Sequence, residues 1–188
     1  MELATAIISQ HNLPKGWLEE ILLLLPENIK LEIFYVGSGT MLVDTPPRSP
    51  HIKKILYCSH SHRVLNGPKP GEDMVAGGLL DLGGMVVRSQ YLLSLPQSNL
   101  PLKPTKSKLK EIGLILDPDP ERMVEGLRVA TGLAGCNHQM VLFYHKKSLD
   151  KPCKEAKTYI EALTMLGAEF QTTQPPYEWF TGDFLIRI

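Results

Sequence analysis

Neither sign of charge is in surplus: 20 Lys+Arg face 20 Asp+Glu, for a formal net charge of zero. Binding to a phosphate backbone draws on excess basic side chains, so nucleic acid is not an expected partner. Cysteine is scarce. Three of them, an odd number, make no disulfide framework and suit a reducing compartment. Long apolar runs are missing too: the longest, Ile21 to Pro26, falls far short of the ~20 residues that span a bilayer. The opening MELATAIISQ has neither a basic n-region nor a small-residue cleavage site, so no signal peptide and a cytoplasmic location without a membrane partner are expected. A content of 43% hydrophobic and 21% charged residues excludes gross disorder and collagen-like architecture. At ~100–200 residues per domain, the 188 residues make one domain or two compact halves. A globule of this size buries about 70% of its unfolded surface and folds without disulfides or metal.

Apolar periodicity supplies the elements. Leu3 to Ser9 has strand length, and Lys15 to Leu25 repeats Trp17, Ile21, Leu24 and Leu25 at helical spacing. Leu31 to Val36 reads as a buried strand ending at Gly37-Ser38-Gly39. Asp44 to His51, with three prolines, is a loop. Lys54 to Cys58 is a strand, Asp73 to Val87 a Gly-rich helix, and Gln90 to Leu95 a strand. Pro96 to Lys108 reads as a linker or crossover. The pattern then restarts with a strand at Glu111 to Leu116. A helix follows from Glu121 to Ala134, capped by Asp119 with Pro120 at its first position. Gln139 to Tyr144 is a strand, Lys151 to Leu166 an amphipathic helix stopped by Gly167, and Ala168 to Thr172 and Asp183 to Ile188 short strands. Strand–helix–strand thus occurs twice at similar spacing, which predicts βαβ units, a mainly parallel sheet and a degenerate duplication.

In open α/β sheets ligands and reactive groups sit beyond the carboxyl ends of the strands. Cys58 is placed there and is followed by His60, His62 and Arg63. Positive charge favours thiolate, the form that attacks sulfur to give a disulfide or persulfide. The alternative is an inert thiol packed as a small hydrophobe. If the segment is extended, Cys58, His60 and His62 share one face and suit Zn²⁺ or copper, with a fourth ligand from His51, His11 or another subunit. Gly37-Ser38-Gly39 can cradle an anion through its backbone amides, or simply end its strand. Gly77-Gly78 and Gly83-Gly84 match no nucleotide fingerprint and read as a helix packed closely on a neighbouring backbone. Cys136, past a helix C-terminus, reads as structural; Cys153, near a helix N-terminus beside Lys151 and Lys154, as a second reactive candidate below Cys58.

Three stretches carry a family likeness: Glu125 to Tyr144 (EGLRVATGLAGCNHQMVLFY), Ile55 to Gly67 (ILYCSHSHRVLNG) and Gly77 to Leu95 (GGLLDLGGMVVRSQYLLSL). Together with the βαβ order they resemble the DsrE/DsrF/DsrH-like group, which includes the subunits of the TusBCD sulfur relay. The pieces cover about half the chain, with last-half features preceding first-half ones, as two diverged tandem copies would give. The resemblance implies a flavodoxin-like layered α/β fold and homo- or hetero-oligomers with other sulfur-relay proteins. It also implies a cysteine that accepts sulfane sulfur as a persulfide and passes it on, as a sulfurtransferase does. That role falls on Cys58, with His60 and Arg63 supporting the anion and no cofactor or metal required. The copies are residues 1–95, carrying Cys58, and 109–188, where Gln171-Thr172-Thr173 stands at the equivalent strand end; residues 96–108 join them. Because some family members lack the cysteine, a non-catalytic assembly subunit is the second expectation, and a metal protein using Cys58, His60 and His62 the third.

Overall fold

The computed structural model describes residues 2–95, 104–145, 152–172 and 180–188. Most of the crossover from 96 to 108, the residues just before the last helix and Thr173 lie outside them.

Two parallel sheets carry the chain. The first contains β1 (Leu3–Ile8), β2 (Lys30–Tyr35), β3 (Ile52–Cys58), β4 (Met74–Gly77) and β5 (Tyr91–Leu95), in the order β4-β3-β2-β1-β5. The second contains β6 (Glu111–Ile115), β7 (Gln139–Tyr144), β8 (Glu169–Thr172) and β9 (Phe184–Arg187), in the order β8-β7-β6-β9. Among the described residues all seven strand pairings are parallel. Setting β4 aside, both sheets run third-second-first-last. The protein is therefore an α/β, flavodoxin-like layered fold built from two diverged βαβ-containing halves.

The central strands of each sheet are buried on both faces, so they read as apolar runs rather than alternating ones. In β1, Ile7 faces one core while Ala4, Ala6 and Ile8 face the other. In β7, Met140 and Leu142 oppose Val141 and Phe143 in the same way. One core is shared by both halves: Phe34, Leu56, Leu82 and Val86 join Leu114, Leu127, Val129 and Leu133.

Helices α3 (Leu79–Arg88) and α4 (Pro120–Gly135) bring the halves together. Their contact is close because glycine stands at the crossing. A Cβ on Gly83 would run into the Cys136 sulfur and lie 2.8 Å from its Cβ, and one on Gly132 would overlap Leu79. At the sheet edges the Arg187 backbone N–H donates to Ser94 Oγ on β5 at 3.0 Å.

Local chemistry sets the helix ends. Asp119 caps α4, its carboxylate accepting from the amides of Glu121 and Arg122 at 3.1 and 3.2 Å, with Pro120 first in the helix. Asp119→Ala should cost about 1 kcal/mol in urea denaturation. Gly167, at φ 81°, follows α5 (Lys154–Met165) as expected. The end of α4 differs: Gly135 stays helical, and Asn137 takes the left-handed conformation at φ 64°.

Three expectations are corrected. Residues 73–87 are not one helix: Met74–Gly77 pairs with β3 as an edge strand before α3 begins. Gly37–Leu42 forms a 3₁₀ helix rather than a plain turn. Cys58 does not run on into an extended segment, because α2 (Ser59–Val64) starts at the next residue.

Candidate functional site

Ile52–Cys58 is a strand because its apolar residues fit between β2 and β4, and its carboxyl end delivers Cys58 to the edge of the shared core. There α4 of the other half approaches. Arg128 donates from Nη2 to Cys58 Sγ at 3.2 Å and to Ser61 Oγ at 2.8 Å. It also holds Glu125 in a two-pronged pair, Nε to Oε2 at 2.8 Å and Nη2 to Oε1 at 2.7 Å. Ser61 closes the network by donating to Glu125 Oε1 at 2.8 Å. Two residues of each half thus form one polar cluster.

The cluster is largely withdrawn from water. Cys58 is 1% exposed, and the Arg128 and Glu125 side chains are 9% and 18% exposed. Burial alone would raise the Glu125 carboxyl, but the donors and charge of Arg128, aided by Ser61 and the Gly37 backbone, hold it below the ordinary carboxylate range. Burial alone would likewise lower Arg128, yet Glu125 overrides it and keeps the guanidinium charged. Gly37, at φ 55°, packs its backbone against Glu125. The glycine segment read as an anion cradle therefore faces a carboxylate of the protein itself.

The basic residues predicted around Cys58 lie elsewhere. His60 and Arg63 are exposed and make no hydrogen bond or ion pair with it. A helical step of 100° explains this: two and five residues on, a side chain points away, whereas Ser61, three on, returns to the same side. The guanidinium beside the sulfur belongs to Arg128. His62 Nε2 pairs with the Pro68 carbonyl at 2.8 Å, and its ring leans on Tyr57 with centroids 5.0 Å apart. The metal triad is thereby corrected, since its shared face required an extended chain. Among the described residues no group of three His, Cys, Asp or Glu is placed to hold a metal ion.

Of the other thiols, Cys136 caps the end of α4 against Gly83, and burial pushes it up from its ordinary value. Cys153 is exposed at the start of α5, where its sulfur accepts from the Ala156 amide at 3.4 Å.

Sequence reasoning passed over Arg128, Glu125 and Ser61 as site residues. One signal was present: from Val124 to Ala134 the sequence has only two charges, and they stand three apart, the spacing at which helical side chains meet.

Among the described residues no helix is long and apolar enough to cross a membrane. No protein-family model and no curated protein matches the chain. Two solved structures are similar to it in outline. One, described as a dodecameric FMN-dependent UbiX-like decarboxylase from Escherichia coli O157:H7, aligns over 94% of this chain and 82% of its own, at 12% identity and a TM-score of 0.30. The other, a phenylacrylic acid decarboxylase from Aquifex aeolicus, aligns over 96% and 86%, at 10% identity and a TM-score of 0.30. Likeness at that level assigns neither ligand nor reaction, so function has to be argued from the cluster itself.

Proposed function

We propose that the chain is a sulfur carrier in which Cys58 accepts sulfane sulfur and hands it to a partner thiol within a homo- or hetero-oligomeric sulfur relay. The Arg128 Nη2 contact on Cys58 Sγ carries this reading, because it offers a sulfur anion a charged hydrogen-bond donor. Loading needs no cofactor. The Cys58 thiolate attacks the outer sulfur of a donor persulfide R–S–SH, the new S–S bond forms as the donor's breaks, and R–S⁻ leaves. Attack by an acceptor thiolate on the outer sulfur then frees Cys58 as thiolate, with no net oxidation. Because Cys58 and Ser61 belong to one half and Glu125 and Arg128 to the other, parting α2 from α4 would open the sulfur to a donor.

Burial of Cys58 favours a second reading, a non-catalytic subunit of such an assembly in which the thiol only seats Arg128. Incubation with a low-molecular-weight persulfide, alkylation and peptide mass spectrometry separate the two. A gain of about 32 Da on Cys58, the mass of one sulfur, is expected for the carrier. An unmodified Cys58, with relay activity of the complex intact in Cys58→Ser, would establish the assembly role.

A further inference from the structure

β1 and β2 end side by side, and the loops leaving them part around a cavity of about 440 Å³. It lies beyond the carboxyl ends of parallel strands, where open α/β sheets hold small ligands, and its volume suits one. His11, Lys15, Arg48, Trp17, Tyr35 and Glu19 line it.

Two observations make this more than a surface cleft. First, donors without partners are gathered there. Lys15 and Arg48 have no ion-pair or hydrogen-bond partner among the described residues. Helix α1 (Trp17–Leu24) opens on the same cavity from Gly16, at φ 83°, with no side-chain cap, and the Leu18 and Glu19 amides are unbonded. A helix start favours negative charge. Glu19 sets one carboxylate against the two cations.

Second, Tyr35 is 1% exposed, yet its hydroxyl has no partner among the described residues. It is not sealed off either, because His138 Nε2 is the one fully enclosed side-chain polar atom there without a partner. Of the space around it, the cavity is what Tyr35 lines. An oxygen acceptor in the cavity would take the place of the water that otherwise meets this hydroxyl.

We propose that this cavity binds a phosphate monoester of a flat aromatic or heteroaromatic ring. The ring lies against Trp17, and the phosphate is held by Lys15, Arg48, the first turn of α1 and the Tyr35 hydroxyl. The site is separate from Cys58 and stands whether or not that thiol carries sulfur.

1-Naphthyl phosphate is a suitable probe, read by Trp17 emission in a Trp179→Phe background, which leaves one tryptophan. Saturable binding with a dissociation constant below about 1 mM is expected, with competition by inorganic phosphate. Neutral 1-naphthol and the carboxylate 1-naphthoate should each bind roughly tenfold more weakly, as should 1-naphthyl phosphate to Arg48→Gln. Tyr35→Phe should bind it several-fold more weakly while unfolding no more easily than the parent. Arg63→Gln, an exposed cation elsewhere, is the unchanged control. No saturation up to about 10 mM, equal binding of naphthol, equal binding of naphthoate, or undiminished binding to Arg48→Gln would each overturn the assignment.

Discussion

Arg128→Met should lower the unfolding free energy by about 3 kcal/mol, measured by urea denaturation. The guanidinium joins four groups: both Glu125 oxygens, Ser61 Oγ and Cys58 Sγ. Methionine fills much of the volume but leaves a mostly buried carboxylate without its counter-charge. That uncompensated charge, rather than the lost pair, dominates the penalty. A second substitution tests the cause. Adding Glu125→Gln removes the stranded charge and should restore at least about 1 kcal/mol, so the two changes couple rather than add. Equal stability of Arg128→Met and the parent would show that the cluster does not hold the halves together. The same pair predicts an acid limit. The folded Glu125 carboxyl titrates below its ordinary 4.5, so its contribution is present above that pH and is lost as pH falls through the lower folded value. Arg128→Met should flatten that part of the stability profile.

A comparable loss, about 3 kcal/mol, is expected for Gly83→Val. The new side chain would enter the space taken by the Cys136 side chain at the α3–α4 crossing. The Cys136 Cβ, 2.8 Å from the first new atom, moves only with the helix end that carries it, so the helices must separate. The adjacent glycine gives the opposite sign. At Gly84 a Cβ would meet only the far end of Arg88, at an ordinary 3.5 Å. Gly84→Ala should therefore gain up to about 1 kcal/mol from helix propensity alone. Thermal melts of the two variants suffice, and a Gly83→Val protein as stable as the parent would refute close packing at the crossing.

The likeness of the two halves bears on both results. Each sheet places its first strand between its second and its last, yet their edges are joined chiefly through helices and one backbone-to-serine bond. Cohesion between the halves draws on the shared apolar core and the β5–β9 edge as well as on the α3–α4 crossing and the Arg128 cluster, and these substitutions act at the last two.

What the sequence determined by itself was local. Apolar runs of strand length, helical spacing within Lys151 to Leu166, the Asp119-Pro120 start and the Gly167 stop are each decided within a few residues, and the structure keeps them, that helix running over Lys154–Met165. The repeated strand–helix–strand order similarly fixed a parallel α/β layering. The site was decided by packing between residues distant in the chain. Proximity in sequence suggested His60 and Arg63 as companions of Cys58, but a helix beginning at Ser59 turns both to solvent. The cation that reaches the sulfur comes from 70 residues away, on a helix of the other half. Periodicity reports which face of an element is apolar; only the assembled layers determine what that face meets.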